Sequence, residues 1–313
     1  MRLSTILSEY LNKRKRLKSS TRDWTQQAWK QLLTAIGDTE IGEIKYADIE
    51  DFESYLYGRG LRPNAVRSYL KAVSCVFGWA EVRELVERNP FDKYRLPRYQ
   101  EGEIHIFSQA ELYDIIAAAP TERWRTILMT AISAALRRSE LLNLTVSDID
   151  FDKETIKVQN KHESDSCWEY TTKNYQCRTV PLNSQASKLL IGLLAELPAK
   201  QPYIFLTEQR YFHLQKIRKA GRMTDRQRLN PDDTITPGFV RIRESAGIMK
   251  GTFHDLRRTT ITKWTTILAP QEIKKMAGHA DIETTMRYYA AVREDVFDRI
   301  KSIGATGLEP ATS

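Results

Sequence analysis

The sequence has few cysteines and no long apolar run, and these absences exclude whole classes of protein. Its three cysteines are odd in number and form no C-x-x-C pair, so neither a disulfide framework nor a cysteine zinc site is expected. No stretch approaches the roughly 18 apolar residues of a membrane-spanning helix, so no membrane partner is expected. The first ten residues lack the apolar core and cleavage site of a secretory signal. We therefore expect a cytoplasmic protein with reduced thiols.

The sequence also has too few acidic residues to balance its basic ones. Lys and Arg number 48 against 40 Asp and Glu, which gives a formal charge of +8. Such a surplus favours a polyanionic partner, because basic side chains attract phosphates and release their counterions. Composition alone does not separate nucleic acid from anionic lipid. The basic run 13–18 fits either a solvated helix face or a contact with nucleic acid.

The length of 313 residues and a change of character at Asn89-Pro90 predict two domains. Residues 1–92 have helical spacing almost throughout, which predicts four or five helices around one core. Residues 93–105 form the predicted linker. Its basic residues alternate with aromatic or apolar ones, a pattern that fits a solvated connector and equally a strip along a phosphate backbone. Residues 106–303 form the second domain, and 304–313 a flexible tail.

Capping residues indicate where individual helices begin and end. In the first domain, apolar spacing predicts a helix that Thr21 or Asp23 caps and that ends at Gly37. Because Ser, Thr and Asp side chains bind the free N–H groups of a first turn, such residues mark helix starts. Further helix starts are indicated by Tyr46-Ala47, by Pro63 at an early position, by the capping box of Ser108 and Glu111, and by Thr121.

Three short β-prone runs interrupt the helical pattern of the second domain. They cover residues 149–151, 155–158 and 178–182, and turn residues separate them. Runs of this kind predict a small antiparallel sheet set among helices. The expected fold class is therefore mainly α with a small antiparallel β-sheet.

The second domain also carries the side chains that phosphate chemistry requires. Arginine stabilises a phosphate as it gains charge, because its planar guanidinium donates two parallel hydrogen bonds. A nucleophile must attack phosphorus, a base must take its proton, and an acid must protonate the leaving oxygen. His254 and His279 lack the further histidine, carboxylate or cysteine neighbours that a metal site needs. The sequence supplies each residue type at Arg137, Lys173, His254, Arg257, His279 and Tyr288.

In this order and spacing, the six residues resemble the signature of the tyrosine recombinases, the phage integrase family. Residues 136–141 resemble its first arginine box, 254–259 its H-x-L-R box, and 278–288 its terminal box, which ends in tyrosine. Each box alone is weak evidence, but all of them in order are specific. A helical first domain followed by a linker also fits the SAM-like core-binding domain of this family. One departure is Ala134-Ala135, where a glycine usually precedes the leucine.

The resemblance implies a role for each of the six residues. Two arginines, Arg137 and Arg257, would clamp the phosphate oxygens. Lys173 would protonate the departing 5′-hydroxyl, while His254 would help to move the proton of the nucleophile. The remaining two roles, a hydrogen bond to the phosphate and the 3′-phosphotyrosine link, would fall to His279 and Tyr288. Glu140 is expected to orient an arginine as a supporting partner.

Neighbouring residues compete for several of these roles. The nine positions that separate Tyr288 from His279 select it over Tyr289. The same family pattern selects the first member of each arginine pair, so Arg138 is expected to be exposed or on the DNA backbone. For the lysine, the short distance to the third β-prone run favours Lys173, and Lys161 in the same connection is the alternative.

The resemblance further implies a two-domain clamp on DNA, with one domain on each face of the duplex. The implied activity is cleavage and rejoining at a specific recombination site, without metal, ATP or another cofactor. The implied partners are double-stranded DNA and further copies of the chain, as a homotetramer on two sites, with accessory DNA-bending proteins as an option. Apolar residues spaced over 292–300 predict a helix that packs on its own or a neighbouring domain. The alternatives are a catalytically silent DNA-binding relative and a type IB-like topoisomerase.

Overall fold

The computed structural model describes residues 1–100, 102 and 104–291. The chain divides into two compact units, Met1–Gly102 and Glu103–Ser313. The limits that the sequence suggests for the linker and the second domain stay predictions. The expected C-terminal helix over 292–300 and the tail 304–313 lie outside the described residues. Within the described ranges, no helix is both long and apolar enough to cross a membrane.

The described part of the first unit contains four α-helices, each with an apolar face turned inward. α4 begins with Pro63 in its first turn, as predicted. α2 ends before Gly37, whose φ of 81° suits a residue without a Cβ. The helices are α1 (Leu3–Lys13), α2 (Ser19–Ile36), α3 (Tyr46–Gly58) and α4 (Pro63–Val82).

The predicted start of α2 was wrong by about one turn. The helix begins at Ser19, before either Thr21 or Asp23, and no side chain caps it. The carbonyl of Lys18 accepts hydrogen bonds from the N–H groups of Thr21 (2.9 Å) and Arg22 (3.0 Å). Thr21 therefore lies in the first turn of the helix and Asp23 in the second, and backbone hydrogen bonds to Lys18 take the place of a side-chain cap.

One apolar core holds the first unit together. Its largest members, Trp29, Phe52 and Phe77, are completely buried, so each removes a large aromatic surface from water. The Trp29 indole N–H also donates to the backbone carbonyl of Leu3 at 2.7 Å, which ties α1 to α2. The prediction of four or five helices around one core is confirmed.

Residues 93–100 lie along the first unit. Tyr94 and Leu96 pack against its core. Asn64 on α4 donates to the carbonyl of Gln100 at 2.6 Å and accepts from its N–H at 2.9 Å. From Lys93 to Leu96 the alternation in sequence thus becomes an alternation in burial, whereas Tyr99 is exposed. The basic residues of this strip are exposed: Lys93, Arg95 and Arg98.

Ten α-helices form most of the described part of the second unit. Ser108 and Glu111 make the predicted capping box at the start of α5, and Thr121 caps α6 as predicted. The helices are α5 (Gln109–Ala117), α6 (Glu122–Ala134), α7 (Arg138–Leu142), α8 (Ser184–Ala195), α9 (Glu208–Lys219), α10 (Asp225–Leu229), α11 (Ile235–Ser245), α12 (Phe253–Trp264), α13 (Pro270–Ala277) and α14 (Ile282–Ala291).

The three β-prone runs form one antiparallel sheet in the order β1-β2-β3, which confirms that prediction. Ile156 on β2 pairs with Val180 on β3, and both side chains are completely buried in the main core of this unit. A long connection, residues 159–177, joins β2 to β3. The strands are β1 (Ile149–Asp150), β2 (Thr155–Val158) and β3 (Arg178–Pro181).

Candidate active site

The first arginine box lies at a sharp turn between α6 and α7. After α6 ends, Ala135 adopts a left-handed conformation with φ of 48° and ψ of 39°. This conformation favours glycine and strains alanine, because the alanine Cβ crowds the backbone. The chain therefore makes, with alanine, the turn for which a glycine was expected. Arg137 follows as the N-cap residue of α7, and its Nη2 donates to the carbonyl of Gly278 at 2.6 Å.

A single buried carboxylate holds two arginines together. Glu140 is 2% exposed, and its Oε1 accepts from Arg137 Nη1 at 2.8 Å and from Arg178 Nη1 at 2.9 Å. Its Oε2 accepts from Arg178 Nη2 at 2.7 Å, so the Arg178 pair is bidentate. Burial alone would raise the pKa of Glu140, but Arg178 and then Arg137 lower it to about 2. Glu140 is therefore ionised and orients both guanidinium groups.

Arg257 on α12 completes a cluster of three guanidinium groups. It is 2% exposed and donates to the backbone carbonyls of Ala135 and Ala277, the latter at 2.6 Å. Burial, followed by the charge of Arg137, lowers the pKa of Arg257 to about 9. Three positive charges share the one Glu140 carboxylate, so two remain unbalanced in the part of the site that the structure describes. The partner that suits this cluster is an anion.

Both predicted histidines border this cluster and are neutral at neutral pH. His254 in the first turn of α12 reaches solvent, yet the protein packed around its ring and the charge of Arg257 lower its pKa to about 4. His279 is 6% exposed, and burial followed by the charges of Arg257 and Arg137 lowers its pKa to about 3. A neutral imidazole accepts a proton at one nitrogen and donates at the other. Both rings can therefore take part in proton transfer.

The position of His279 depends on the residues around it. Its Nδ1 lies 2.9 Å from Oγ1 of Thr285, a completely buried side chain on α14. This contact engages Nδ1, so Nε2 is the ring nitrogen available for a second hydrogen bond. Gly278 before it has a φ of 64°, and a Cβ there would lie 3.0 Å from Nη1 of Arg178. Only glycine therefore fits between α13 and the arginine cluster without a shift.

Tyr288 lies on α14 beside His279 and the arginines. The two rings stack with centroids 5.8 Å apart and planes inclined by 11°. Tyr288 is 6% exposed and interacts electrostatically with Arg257. Tyr289, in contrast, donates its hydroxyl to the backbone carbonyl of Leu268. Of the two adjacent tyrosines, Tyr288 is the one that lies next to the arginine cluster.

The two candidate lysines have different surroundings. Lys161 is almost buried, forms an ion pair with Asp148 and donates to Oγ1 of Thr145 at 3.0 Å. Lys173 is exposed in the short 3-10 helix Lys173–Tyr175. Arg137 and Arg257 lie beside Glu140, and His254, His279 and Tyr288 each interact electrostatically with Arg257. The structure therefore brings together Arg137, His254, Arg257, His279 and Tyr288, whereas Lys173 lies on the connection between β2 and β3.

Arg178 is a site residue that sequence reasoning missed. It is the first residue of β3, is 8% exposed and donates from Nε to the carbonyl of Met276 at 2.7 Å, besides its pair with Glu140. A signal was present. Alternation along β3 places Arg178 on the same inward face as Val180. An arginine at an inward strand position requires a buried partner of opposite charge. This requirement could have identified Arg178 as a candidate site residue.

The second arginine of each sequence pair is bound to protein. Arg138 was expected to be exposed or on DNA, but it is half-buried and donates to Asn230 Oδ1 at 3.0 Å and to Thr236. Full exposure of this side chain was therefore wrong, because α7 turns it toward Asn230 and Thr236, while a contact with the DNA backbone stays a prediction. Arg258 donates to Asp255 Oδ1 at 2.7 Å within α12.

A pocket of about 360 Å³ opens beside the cluster. Arg178, His279, Lys274 and Lys275 contribute to its lining, so its walls are basic. Such a surface attracts phosphate groups. Among the described residues, no group of three or more His, Cys, Asp or Glu side chains is arranged to hold a metal ion.

Known proteins resemble the chain along most of its length. A tyrosine recombinase of Thermosipho africanus (strain TCF52B) is 23% identical over 307 residues, which cover 95% of this chain and 98% of that protein. Tyrosine recombinase XerC of Bacillus subtilis (strain 168) is 21% identical over 258 residues, 80% of this chain and 78% of that protein.

Solved structures share the fold. The Tn1549 transposon integrase in complex with a circular intermediate DNA superposes with a TM-score of 0.73 at 16% identity, covering 96% of this chain and 99% of that one. A lambda integrase dimer bound to a COC' core site gives a TM-score of 0.69 at 17% identity, covering 92% and 95%.

Family models match both units. The phage integrase SAM-like domain matches residues 2–96, and the phage integrase family matches residues 106–295, more than half of the chain. The fold that these matches describe is the mainly helical one with a small antiparallel sheet. The protein therefore belongs to the phage integrase family, whose members are tyrosine-type site-specific DNA recombinases.

Proposed function

We propose that this recombinase cleaves DNA by attack of Tyr288 on a phosphate held in the arginine cluster. The observation that carries the proposal is the unbalanced charge of three guanidinium groups around Glu140, with Tyr288 beside them. The Tyr288 oxygen would bond to phosphorus while the bond from phosphorus to the 5′-oxygen breaks. The product is a 3′-phosphotyrosine and a 5′-hydroxyl. Because one phosphoester replaces another, the reverse attack reseals the strand without ATP.

The site supports a division of proton transfers between the two sides of the phosphate. His254 has a pKa of about 4, so it is a neutral base at physiological pH and suits removal of the phenolic proton. His279, held at Nδ1 by Thr285, would donate from Nε2 to a phosphate oxygen. Arg137 and Arg257 would bind the oxygens that gain charge in the transition state. Arg178 would not bind the phosphate directly but would hold Glu140, which in turn orients Arg137.

Lys173 is the proposed general acid for the leaving 5′-oxygen. The alternative, Lys161, is already paired with Asp148, and removing it from that pair would leave a buried charge alone. Lys173 lies on the same connection with its side chain in solvent, where it is able to meet a strand. The ammonium proton would pass to the 5′-oxygen as the bond to phosphorus breaks.

Double-stranded DNA at a specific site is the proposed substrate. Similar proteins were solved with DNA, one of them as a lambda integrase tetramer bound to a Holliday junction. By analogy we expect a homotetramer on two sites and a cytoplasmic, DNA-associated location. The exposed basic strip of Lys93, Arg95 and Arg98 suits the phosphate backbone.

The proposal is tested by covalent capture. The full chain would be incubated with labelled duplexes of randomised sequence that carry one nick, so that the cleaved end diffuses away and the adduct accumulates. A band of protein-linked DNA on a denaturing gel is the expected result. Tyr288→Phe should abolish it, and Tyr289→Phe should leave it. Sequencing of the captured DNA identifies the site.

Three other outcomes would contradict the proposal. An adduct that survives Tyr288→Phe but is lost in Tyr289→Phe would move the nucleophile by one residue. Binding without any adduct would indicate the catalytically silent relative. Relaxation of supercoiled plasmid with no captured consensus sequence would indicate the topoisomerase.

A further inference from the structure

The connection between β2 and β3, here called the arm (residues 159–177), is folded and anchored along its length. Its two sides pair through a β-bridge between Lys161 and Tyr170, with backbone hydrogen bonds of 2.8 and 3.1 Å. A turn closes the tip, where the N–H of Ser164 donates to the carbonyl of Cys167 at 2.9 Å. The proposed general acid, Lys173, follows on the returning side.

Side chains of α9 hold the tip of the arm. Tyr211 and Gln215 both donate to the carbonyl of Ser166, at 3.0 and 2.7 Å. Arg218 donates to the carbonyl of Ser164 at 2.6 Å and also to those of Asp165 and Cys167. Five hydrogen bonds from one helix to successive carbonyls fix a tip that would otherwise move freely, because each satisfied carbonyl resists displacement.

Trp168 anchors the arm to α7, the helix that carries Glu140. Its ring is completely buried and stacks on Tyr203, with centroids 3.8 Å apart and planes inclined by 9°. Its indole N–H donates to Oδ1 of Asn143 at 2.9 Å, and Asn143 is the C-cap residue of α7. The arm is thereby connected to the arginine cluster through a rigid helix.

Tyr170 reaches the cluster itself. It is 4% exposed, and burial, followed by the negative charge of Glu140, raises the pKa of its phenol. Its backbone is fixed by the bridge to Lys161, and Ser139, Arg137 and Arg178 offset part of this rise, so the phenol lies beside the first arginine box. Tyr170 is thus a buried arm residue whose phenol lies beside the charges of the cluster, and the six-residue signature does not include it.

The segment between Tyr170 and Lys173 is also fixed. Thr172, which is 1% exposed, donates to Oδ1 of Asn160 from its N–H at 2.9 Å and from its hydroxyl at 3.0 Å. Lys173 itself is exposed. A residue that must meet a DNA strand therefore projects from backbone that is held on its N-terminal side by Tyr170 and Thr172.

We infer that Tyr170 is a positioning residue, which registers the arm against the arginine cluster so that Lys173 meets the leaving 5′-oxygen. The inference rests on the proposed function of Lys173 as general acid. It goes beyond that function in assigning the placement of the lysine to a buried phenol three residues earlier. Small displacements of a catalytic group cost large factors in rate, so removal of this buried phenolic hydroxyl should be measurable.

The test compares two leaving groups on the captured site. One nicked duplex has the natural 5′-oxygen at the scissile phosphate, and the other has sulfur in its place. A thiol has a pKa of about 8.5, so the sulfur leaves as thiolate and needs no general acid. Tyr170→Phe should slow single-turnover adduct formation about tenfold with oxygen and hardly at all with sulfur. Lys173→Ala should show the same pattern with a larger loss.

Matched controls separate positioning from general damage. Tyr113→Phe removes a hydroxyl from an exposed tyrosine of the same unit and should leave both rates unchanged. Arg218→Gln loosens the tip without touching the cluster and should also show a loss that sulfur restores.

An unchanged rate in Tyr170→Phe with the oxygen substrate would overturn the positioning role. So would equal losses with oxygen and sulfur, since these would indicate damage to phosphate binding or to the fold. If the wild-type protein gave no Tyr288-dependent adduct with either duplex, the proposed function would itself be wrong, and the positioning role would fall with it. An active wild type with an unrescued Tyr170→Phe rejects the inference alone.

Discussion

The two units of this protein differ most in what they bury. Among the described residues, the first unit buries one polar side chain, Thr25, whereas the second buries nineteen, including Glu140, Arg178, Arg257 and His279. All five histidines of the chain also lie after residue 102. The first unit keeps its charges on the surface around an apolar core. The second places charges inside, where each requires a partner.

This difference in buried charge indicates how each unit would bind an anion. A surface charge costs little and binds weakly, so many of them are needed to hold a long polyanion. A buried guanidinium that lacks a full set of counter-charges binds one anion strongly and in one orientation. The second unit therefore concentrates unbalanced positive charge in its interior. Among the described residues, the first unit buries no charged side chain.

The largest effect on this comparison is expected from Glu140→Gln. The substitution removes the one carboxylate shared by Arg137 and Arg178, so the buried guanidinium groups would repel one another without compensation. We expect the free energy of unfolding of the second unit to fall by about 3–5 kcal/mol. Adduct formation should be lost with it. Urea-dependent hydrogen exchange, measured on peptides from each unit separately, gives both stabilities in one experiment.

Glu53→Gln in the first unit is the matched control. Glu53 is half-buried and accepts a hydrogen bond from the Tyr94 hydroxyl, while burial and then Glu50 raise its pKa. A neutral amide should replace this carboxyl at a cost below about 1 kcal/mol. Equal losses in the two variants would mean that the buried carboxylate of the second unit is no more important than an ordinary one.

An intermediate effect is expected from pH. His254 and His279 have folded-state pKa values of about 4 and 3, below the ordinary 6.5. The unfolded chain therefore takes up protons first as pH falls, so their contribution is fully present above about pH 6.5 and is lost toward pH 3–4. His254 is exposed, so solvent screening reduces its share, and the second unit should lose about 3 kcal/mol between pH 6.5 and 4, mostly through the buried His279. Glu140 adds a further loss of stability only below pH 4.5, the ordinary pKa of a glutamate, and this loss grows as the pH approaches its folded-state pKa of about 2.

The same hydrogen-exchange measurement at several pH values checks this expectation, after correction for the intrinsic exchange rate. The first unit contains no histidine and should change little from pH 6.5 to 5. His279→Gln should remove part of the slope in the second unit. A parallel decline of both units over that range would assign the pH dependence to general surface charge.

The sequence predicted the parts of the structure that local chemistry determines. Ser108 and Thr121 cap their helices because the groups they bind lie within three residues. The role of Arg178 depends instead on Glu140, 38 positions earlier, and no local pattern specifies that pair. The arm is a similar case, since the grip of Arg218 on its tip joins residues more than 50 positions apart. The polar contacts between residues far apart in the sequence could therefore not be predicted from it.

The smallest effect is expected at the turn before the first arginine box. Ala135 has a left-handed backbone, so Ala135→Gly relieves steric crowding but removes a buried methyl group and adds chain entropy. The sum should lie between no change and a gain of about 1 kcal/mol. Ala134→Gly, one residue earlier at the end of α6, should instead cost about 0.5–1 kcal/mol.

The two glycine variants are compared by whether each raises or lowers the free energy of unfolding. The carbonyl of Ala135 is one of the two that Arg257 binds, so the strained turn and the buried charge belong to the same arrangement. If Ala135→Gly is stabilising and adduct formation keeps its rate, the strain is incidental to catalysis and the arginines alone fix the site. If it is stabilising but slower, the alanine restricts the turn to the conformation that aims Arg257. Equal destabilisation by the two glycine variants would show that the left-handed turn is not strained.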